Sequence, residues 1–405
     1  MAKLALSKAA FLEKASAFYD KLSVNLDDTK QDFYEFESKF DELYTEFGKE
    51  SLEGIISDLP TNGRKKKKFQ TRFGQIDIAS VHVYGVSILG YCISPYLQER
   101  LVFAGQSDVY GSCNILINKF LRIDINAMQI HRLTNTYGEL SEGLVGESDS
   151  QTLLSTLQED EVVYVQADGS MVLTREDKWQ EVKVGRIFKQ SALTRLSDKR
   201  QELSASLYAA YLGGHTDFIQ SFEKQIDVFD GLGANLVFLT DGAAWMRLWI
   251  SESYPNATQI LDYTHGVEHI STWLEYAEKD KIVRKQHLAG YKKMLLEQGV
   301  APVIKNIEQT IVTLKTVEEE RRKVLNYLNN NAYRMDYPQY IKQNFCIGSG
   351  AIEASHRTVV QQRMKRSGQR WTEKRVQNML NIKVANLSGK WDNIVDIIRN
   401  YKKAA

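Results

Sequence analysis

The sequence is poor in several features, and each shortage excludes a class of protein. Its 405 residues include only 5 Pro and 3 Cys, and the cysteines are far apart. A disulfide scaffold and a paired-cysteine zinc knuckle are therefore excluded, and a reducing cytosol is expected. No run of about 18 apolar residues occurs, so no membrane span is predicted, and charges interrupt the first 20 residues too often for a secretory signal. Hydrophobic residues make up 43% of the chain, which excludes disorder and allows two or three compact units.

The net charge is also small, because 52 Lys and Arg face 51 Asp and Glu. The balance conceals an uneven distribution along the chain. Residues 1–60 carry 7 basic and 13 acidic side chains, whereas residues 341–405 carry 13 basic and 4 acidic ones. Such an asymmetry indicates nucleic-acid binding by the basic part, although solvated helix faces would give the same pattern.

Hydrophobic spacing divides the first part of the chain into helices and a hairpin. Residues 1–63 are predicted to be an N-terminal helical region, since their aromatic residues recur at helical spacing. Residues 64–140 start with a basic run in which Lys65, Lys66 and Lys67 are candidates for DNA contact. Alternation of apolar and polar residues after this run predicts a short hairpin.

Two amphipathic stretches between residues 95 and 140 are joined by the short Ile123-Asp124 connection. This spacing suits a helix-turn-helix, whose second helix would present Gln129 and Arg132 to the major groove of DNA. A plain helical hairpin has the same sequence pattern, so both interpretations stay open.

An acidic stretch at 141–160 is interpreted as a linker, and the pattern of apolar and polar residues changes after it. Predicted strands first follow one another and then alternate with helices, which indicates an α/β fold with a mixed sheet flanked by helices. We divide this part into a first core segment at 161–269, a charged helical segment at 270–342 and a final segment at 343–405 that completes the core and contains basic helices.

Three acidic residues occupy positions at which catalytic side chains often converge. Asp168 and Asp241 each end a predicted buried strand, and Glu353 opens a predicted helix. Three carboxylates brought together would repel one another unless they bound cations, and oxygen ligands favour Mg²⁺. Two such ions can clamp both oxygens of an in-line phosphoryl displacement. Because Asp-Gly also marks hairpin turns and Asp also caps helices, purely structural roles stay open.

A second candidate site is the HxxEH pattern formed by His265, Glu268 and His269. Zinc peptidases of the inverted type use this pattern, together with a third protein ligand. A helix start capped by Asp262 or Thr264, with His265 packed near the sheet, explains the same residues without a metal.

Cations and an aromatic ring follow soon after Glu353. The candidates for DNA contact in this stretch are Arg363, Lys365, Arg366, Arg370 and Trp371. Lys and Arg neutralise phosphates, and a Trp ring can stack on an exposed base. The alternative is that Trp371 anchors the core and the cations form a solvated face.

Several short blocks, in the same order, together resemble bacterial insertion-sequence transposases of the DDE superfamily, and most of all the Kra-type group. The blocks are VQADGSMV, EVKVGRIF, LTDGAAW, QILDYTHGVEH and GSGAIEASHRTVVQQRMKRSGQRW, and they cover about residues 160–385. The stretches TRFGQIDI and INAMQIHRLTNTYGE extend the resemblance more loosely over residues 64–140.

This resemblance implies an RNase H-like core that is interrupted by a helical insertion domain. In such a core Asp168, Asp241 and Glu353 form the catalytic triad and hold two Mg²⁺ ions, for which Mn²⁺ can substitute. Asp262 and His265 match a D-x-x-H signature and would support the active site.

The activity implied is cleavage of DNA at the ends of a mobile element, followed by strand transfer into target DNA. The partners implied are the terminal inverted repeats and the target DNA, bound by a homodimer or larger assembly in the bacterial cytoplasm near the nucleoid.

One departure from related proteins concerns the region after TRFGQIDI, where they often carry cysteine pairs. Here the region contains Cys92 alone, so we do not expect a zinc ribbon.

Two other functions stay open. A DNA-binding regulator derived from a transposase would keep the basic tail without Mg²⁺-dependent cleavage, and a zinc peptidase would bind zinc through His265 and His269.

Overall fold

The structure is a computed structural model that describes residues 6–28, 32–57, 66–79, 92–145, 157–158, 160–197 and 200–400. The chain forms two compact units. The first takes in residues 1–142 and 390–405, and the second takes in residues 143–389. Within the described residues, no helix is long and apolar enough to cross a membrane.

The first unit begins with two helices, α1 (Lys8–Asp28) and α2 (Phe33–Ser57), which pack through aromatic rings. The ring of Phe18 lies 5.3 Å from that of Phe47 and 6.0 Å from that of Phe40. Rings that recur at helical spacing thus meet on facing stripes, which excludes water from the contact. The helical prediction for this region is confirmed.

A hairpin follows, formed by the antiparallel strands β1 (Lys66–Thr71) and β2 (Gly74–Ala79), as predicted. Of the basic run, Lys65 lies outside the described residues. Lys66 and Lys67 begin β1, and their side chains also lie outside the described part of the structure.

Three helices complete the middle of this unit: α3 (Pro95–Ser107), α4 (Tyr110–Leu121) and α5 (Ala127–Leu140). The two helices predicted on either side of the Ile123-Asp124 connection are present as α4 and α5. A C-terminal helix, Trp391–Asn400, joins this unit, since its Trp391 indole donates a hydrogen bond of 2.9 Å to Glu99 on α3. This helix belongs to the segment that the sequence analysis assigns to the core.

The described residues of the second unit include seven strands: β3 (Val162–Leu173), β4 (Trp179–Lys189), β5 (Leu193–Ser197), β6 (Arg200–Leu203), β7 (Leu207–Leu212), β8 (Asn235–Thr240) and β9 (Thr258–Leu261). Five of them form a sheet in the order β7-β4-β3-β8-β9, and β5 and β6 form a separate hairpin. Strand β4 is antiparallel to both of its neighbours, whereas β3, β8 and β9 are parallel. The predicted α/β class with a mixed sheet is therefore confirmed.

The position of Asp168 differs from the prediction. The prediction that Asp168 ends a strand is wrong, because β3 continues to Leu173 in antiparallel pairing with β4. Its parallel pairing with β8 ends earlier, at Ala167 opposite Thr240. Asp168 therefore follows the last parallel pair on β3, just as Asp241 follows it on β8.

Helices surround this sheet. They are α6 (His215–Gly231), α7 (Ala244–Ser253), α8 (Tyr263–Ala277), α9 (Lys281–Gln298), α10 (Val300–Gln309), α11 (Lys315–Asn331), α12 (Tyr337–Lys342), α13 (Gly350–Ser355), α14 (Gln362–Met364) and α15 (Glu373–Leu387). A π-helical segment, His356–Gln361, connects α13 to α14. The charged segment predicted to be helical corresponds to most of α8 and to α9–α12.

The two faces of the sheet are covered by different helices. On one face, Phe222 of α6 packs so closely on Gly185 of β4 that an added Cβ would lie 2.6 Å from the ring. On the other face, Tyr164 and Phe188 belong to one buried cluster with residues of α8–α11, such as Leu295. The helical segment thus shares a hydrophobic core with the sheet, which fixes α8 and α11 beside the strand ends.

Candidate functional site

Asp168 and Asp241 lie on neighbouring parallel strands, one residue beyond the pair Ala167 and Thr240. Neighbouring strands are about 4.8 Å apart, so the two carboxylates share one edge of the parallel pairing. Burial raises the pKa of Asp241, and the negative charge of Asp168 raises it further. The repulsion between the two carboxylates is the electrostatic situation that a bound cation relieves.

His356 holds the carboxylate of Asp168. Its Nε2 atom donates a hydrogen bond of 3.0 Å to Oδ2 of Asp168, whose Oδ1 accepts one of 2.7 Å from the Gly169 N–H. Burial by itself raises the pKa of Asp168, but the hydrogen bonds from His356 and the Gly169 N–H, with the charges of His356 and His265, together outweigh burial, so the pKa is lowered. His356 opens the π-helical segment, a feature that is frequent at functional sites.

His356 was not among the site residues predicted from the sequence. The only signal for this residue is its position three residues after Glu353, one turn further along the helix that carries the third acid.

Asp262 is fully buried and joins the start of α8 to the start of α13. Its Oδ1 accepts a hydrogen bond of 2.8 Å from the His265 N–H, which makes Asp262 the N-cap of α8. Its Oδ2 accepts a hydrogen bond from the N–H of Ser349, the N-cap residue of α13. The Ser349 hydroxyl in turn donates 3.2 Å to Oε1 of Glu353. Asp262 thus positions the helix that carries Glu353.

The two histidines of the HxxEH pattern have separate partners. His265 Nδ1 lies 3.4 Å from Oδ1 of Asp262, and its charge lowers the pKa of both Asp168 and Asp241. His269 instead stacks on Tyr327 of α11, with ring centroids 3.6 Å apart. This arrangement supports the explanation without zinc. Of the two predicted caps, Asp262 and Thr264, it is Asp262 that caps the helix, and His265 lies near the acidic residues.

Gly242 allows α11 to approach the site. A Cβ atom at Gly242 would lie 2.4 Å from Cε2 of Tyr327, so only glycine fits beneath this ring. Oδ1 of Asp241 accepts a hydrogen bond of 2.9 Å from Ala243, which turns the chain from β8 into α7. The Asp-Gly pair therefore ends a strand before a helix, and the hairpin alternative does not apply here.

Arg334 fixes the backbone at Asp241. Its fully buried guanidinium donates a hydrogen bond of 3.2 Å to Oγ1 of Thr240 and one of 3.1 Å to the carbonyl oxygen of Asp241. It also donates 2.7 Å to Oδ1 of Asn331, so several acceptors share the buried charge. Sequence reasoning missed Arg334, because no local pattern marks it.

Arg186 performs a similar function for α13. Arg186 lies on β4, and its guanidinium donates a hydrogen bond of 2.6 Å to the carbonyl oxygen of Ala351 and one of 2.9 Å to Oγ of Ser206. Because Ala351 lies half a turn before Glu353, this bond ties the helix of the third acid to the sheet. Arg186 was also not predicted, because a single charged residue inside an apolar strand only interrupts the apolar pattern and does not indicate a function.

The predicted DNA contacts in the basic segment after α13 include exposed cations and two buried side chains. Lys365 lies close to the acids, since its Nζ donates 2.7 Å to Oγ of Ser170, two residues beyond Asp168 on the same face of β3. Arg363 is only 1% exposed, and its guanidinium lies 4.9 Å from the ring of Trp371, which is 7% exposed. The structure gives Arg363 and Trp371 a packing role in place of the predicted DNA contact, because neither presents a surface to a phosphate or base.

The other predicted cations of this segment, Arg366 and Arg370, are exposed. Arg370 lines an open cleft of about 700 Å³ together with Arg175 and Lys178, which the sequence analysis did not select. Three cations converge on this cleft from the β3–β4 turn and from the loop before α15.

In the first unit, the two predicted groove contacts of α5 differ. Gln129 forms a capping box with Asn126: each backbone N–H donates to the other's side-chain oxygen, at 2.9 and 3.0 Å. Its amide is thus engaged at the helix start, whereas Arg132 is exposed on the next turn.

The residues present fit a divalent cation in part. Asp168 and Asp241 supply adjacent, hard carboxylate oxygens, the ligand type that Mg²⁺ prefers. Glu353 is exposed and bonded to Ser349, and among the described residues no three His, Cys, Asp or Glu side chains are grouped as a metal site.

No protein-family model matches this chain, and no curated protein matches it.

Proposed function

We propose that this protein is a DDE transposase with an RNase H-like core, which cleaves DNA at transposon ends and transfers the strand into target DNA. The observation that carries the proposal is the pairing of β3 with β8, which sets Asp168 beside Asp241. The hydrogen bonds from the Ser349 N–H to Asp262 and from the Ser349 hydroxyl to Glu353 bring the third acid's helix to the same region.

In this proposal Asp168 and Asp241 hold Mg²⁺, or Mn²⁺ in its place, with Glu353 completing the site. Bound there, two divalent ions supply the charge stabilisation that in-line phosphoryl transfer requires. The carboxyl oxygens of Asp168 are oriented by His356 and by the Gly169 N–H. Outer partners that orient a ligand in this way typically contribute substantially to the metal affinity of a site.

The surrounding cations bind and align the DNA. The ammonium group of Lys365 is bonded to Ser170, which lies two residues after Asp168 on β3. There Lys365 would neutralise a phosphate next to the cleaved bond. Arg370, with Arg175 and Lys178, would bind the backbone further along the duplex. Arg366 would add to this surface. These contacts position the DNA without reading its sequence.

In this proposal the first unit recognises the sequence of the terminal repeat. The helices α4 and α5 would act as a helix-turn-helix, with the exposed Arg132 toward the major groove. The run of Lys65, Lys66 and Lys67 would contact phosphates of the terminal repeat. Two DNA ends must be brought together for transposition, so the proposed assembly is a homodimer or larger, in the bacterial cytoplasm.

One observation favours a second candidate, a non-catalytic DNA-binding regulator derived from a transposase. In the described part of the chain, Glu353 is not grouped with the two aspartates as a metal ligand. Such a regulator would bind the same DNA through the same cations and would not cleave it.

The experiment that separates the two is incubation of the protein with DNA from both flanks of its own gene, with and without Mg²⁺. The transposase proposal predicts Mg²⁺-dependent nicks that leave 3′-hydroxyl groups at one defined position on each flank. DNA binding without any nick would support the regulator instead.

A further inference from the structure

A cavity of about 510 Å³ lies beside the proposed catalytic acids. Its walls come from β3 and β4, from the β5–β6 hairpin and from the start of α13. The volume falls within the range of about 300–1,000 Å³ that is typical of ligand sites. Two glycines at the start of α13, Gly348 and Gly350, form part of the wall and leave this side of the cavity open to a planar ligand.

Gln166 of β3 lines this cavity and is fully buried. Neither its amide nitrogen nor its amide oxygen has a hydrogen-bond partner among the described residues. Buried polar side-chain atoms are nearly always paired, because an unpaired buried amide loses its hydrogen bonds to water without replacement. The amide therefore indicates a ligand that offers a donor and an acceptor side by side.

The edge of a nucleobase has this chemistry. A Gln side chain pairs with two adjacent polar atoms of adenine, and either orientation of the amide supplies one donor and one acceptor. Phe188 adds an aromatic wall, and the carboxylate of Glu202, which also lines the cavity, can accept a hydrogen bond from an exocyclic amino group. Stacking on aromatic rings and pairing at a base edge are how enzymes hold a base outside the duplex.

The position of the cavity also suits a nucleotide of the DNA substrate. Gln166 precedes Asp168 by two residues on the same face of β3, a distance of about 7 Å. Ala351 and Ala354, which line the cavity, flank Glu353 on α13. A base attached to a nucleotide next to the cleaved phosphate would therefore reach the amide of Gln166.

We infer that this cavity receives one base, rotated out of the DNA stack beside the cleavage position, and that Gln166 recognises its edge. This inference rests on the proposed transposase function. It assigns to the site a base-specific contact that the three acids and the surrounding cations do not supply.

The test places 2-aminopurine, one position at a time, at the nucleotides next to the cleavage position of the end DNA. With the wild-type protein, fluorescence should rise at one of these positions, because the base leaves the stack. Gln166→Met, which keeps the side-chain volume and removes the amide, should lower cleavage of intact DNA about tenfold. An abasic nucleotide at the same position should remove the difference between Gln166→Met and the wild type.

The matched control is Gln180→Met on β4, whose amide is bonded to Asp177 and Glu373 and lies outside the cavity; it should cleave as the wild type does. If the wild type cleaves the DNA but no position gains fluorescence, the inference is overturned while the proposed function stands. The fluorescence of the wild-type complex also decides the matter if Gln166→Met fails to fold.

If the wild type cleaves no DNA, the proposed function fails, and the cavity is then tested with free nucleosides. Adenosine, guanosine, cytidine and thymidine are each added at millimolar concentration, and the unfolding temperature is recorded. A rise with one nucleoside that is absent in Gln166→Met supports base recognition by this cavity. No rise with any of the four overturns it.

Discussion

Oδ2 of Asp168 accepts a hydrogen bond of 3.0 Å from Nε2 of His356, across 188 residues of sequence. This bond connects the middle of β3 to the π-helical segment that follows Glu353. It therefore couples the orientation of the first acid to the helix that carries the third.

We predict that His356→Ala lowers the rate of Mg²⁺-dependent DNA cleavage by about 10- to 100-fold and raises the Mg²⁺ concentration needed for half of the maximal rate. The physical reason is that Asp168 loses the donor that orients its carboxylate. The control is His287→Ala on α9, an exposed histidine, which should leave both quantities unchanged. A variant whose rate fell only in proportion to its folded fraction would show that His356 is structural alone.

Gly242→Ala should destabilise the protein by about 1–3 kcal/mol, because its Cβ would lie 2.4 Å from the ring of Tyr327. The double variant with Tyr327→Ala should lose less than the two single variants together, since the clash is gone. Gly290→Ala is the matched control: in α9 an added Cβ meets nothing within 4 Å, so alanine should stabilise the helix slightly. Urea unfolding measures all four changes, and strict additivity would contradict the packing argument.

Lys383 gives the stability of the protein a specific dependence on pH. Burial, together with the charge of Arg363, lowers the pKa of this ammonium group to about 8, whereas an unfolded chain has about 10.4. Between these values the unfolded chain binds more protons, so the free energy of unfolding should rise with pH from about 8 to 10. Below pH 8 both states are protonated and the full cost of the buried charge remains.

Lys383→Met should therefore remove most of that rise and should be more stable than the wild type at pH 7, by up to about 3 kcal/mol. Lys374→Met, an exposed position on the same helix, should keep the wild-type pH profile. Equal pH profiles for the wild type and Lys383→Met, from denaturant unfolding at several pH values, would show that Lys383 is not the cause.

The cleft of Arg175, Lys178 and Arg370 should contribute to DNA affinity through charge alone. Replacing Lys178 and Arg370 by Gln should weaken binding of all DNA sequences similarly and reduce the slope of log affinity against log salt by about 2, because each of these cations neutralises about one phosphate. Lys305→Gln, an exposed change on α10, should leave the slope unchanged. Fluorescence anisotropy at several salt concentrations gives the slopes, and an unaltered slope in the double variant would remove this cleft from the DNA surface.

Local signals in the sequence predicted much of the fold. The apolar strand before Asp241 and the capping role of Asp262 depend on residues close in sequence, and both are present in the structure. The continuation of β3 beyond Asp168 could not be predicted, because it depends on pairing with β4.

The candidate site was less predictable for the same reason. The bonds of His356 to Asp168 and of Arg334 to Thr240 join residues 188 and 94 positions apart. A run of cations also does not reveal which of them turns inward, so the burial of Arg363 against Trp371 was found only in the structure.

The most direct test of the proposed function is the comparison of the wild type with Asp241→Asn on end DNA. In the presence of Mg²⁺ the wild type should release a 3′-hydroxyl at a defined position, whereas Asp241→Asn should bind the same DNA in gel shifts and cleave none of it. Cleavage by Asp241→Asn at the wild-type rate would contradict the assignment of Asp241, and with it the proposed catalytic site.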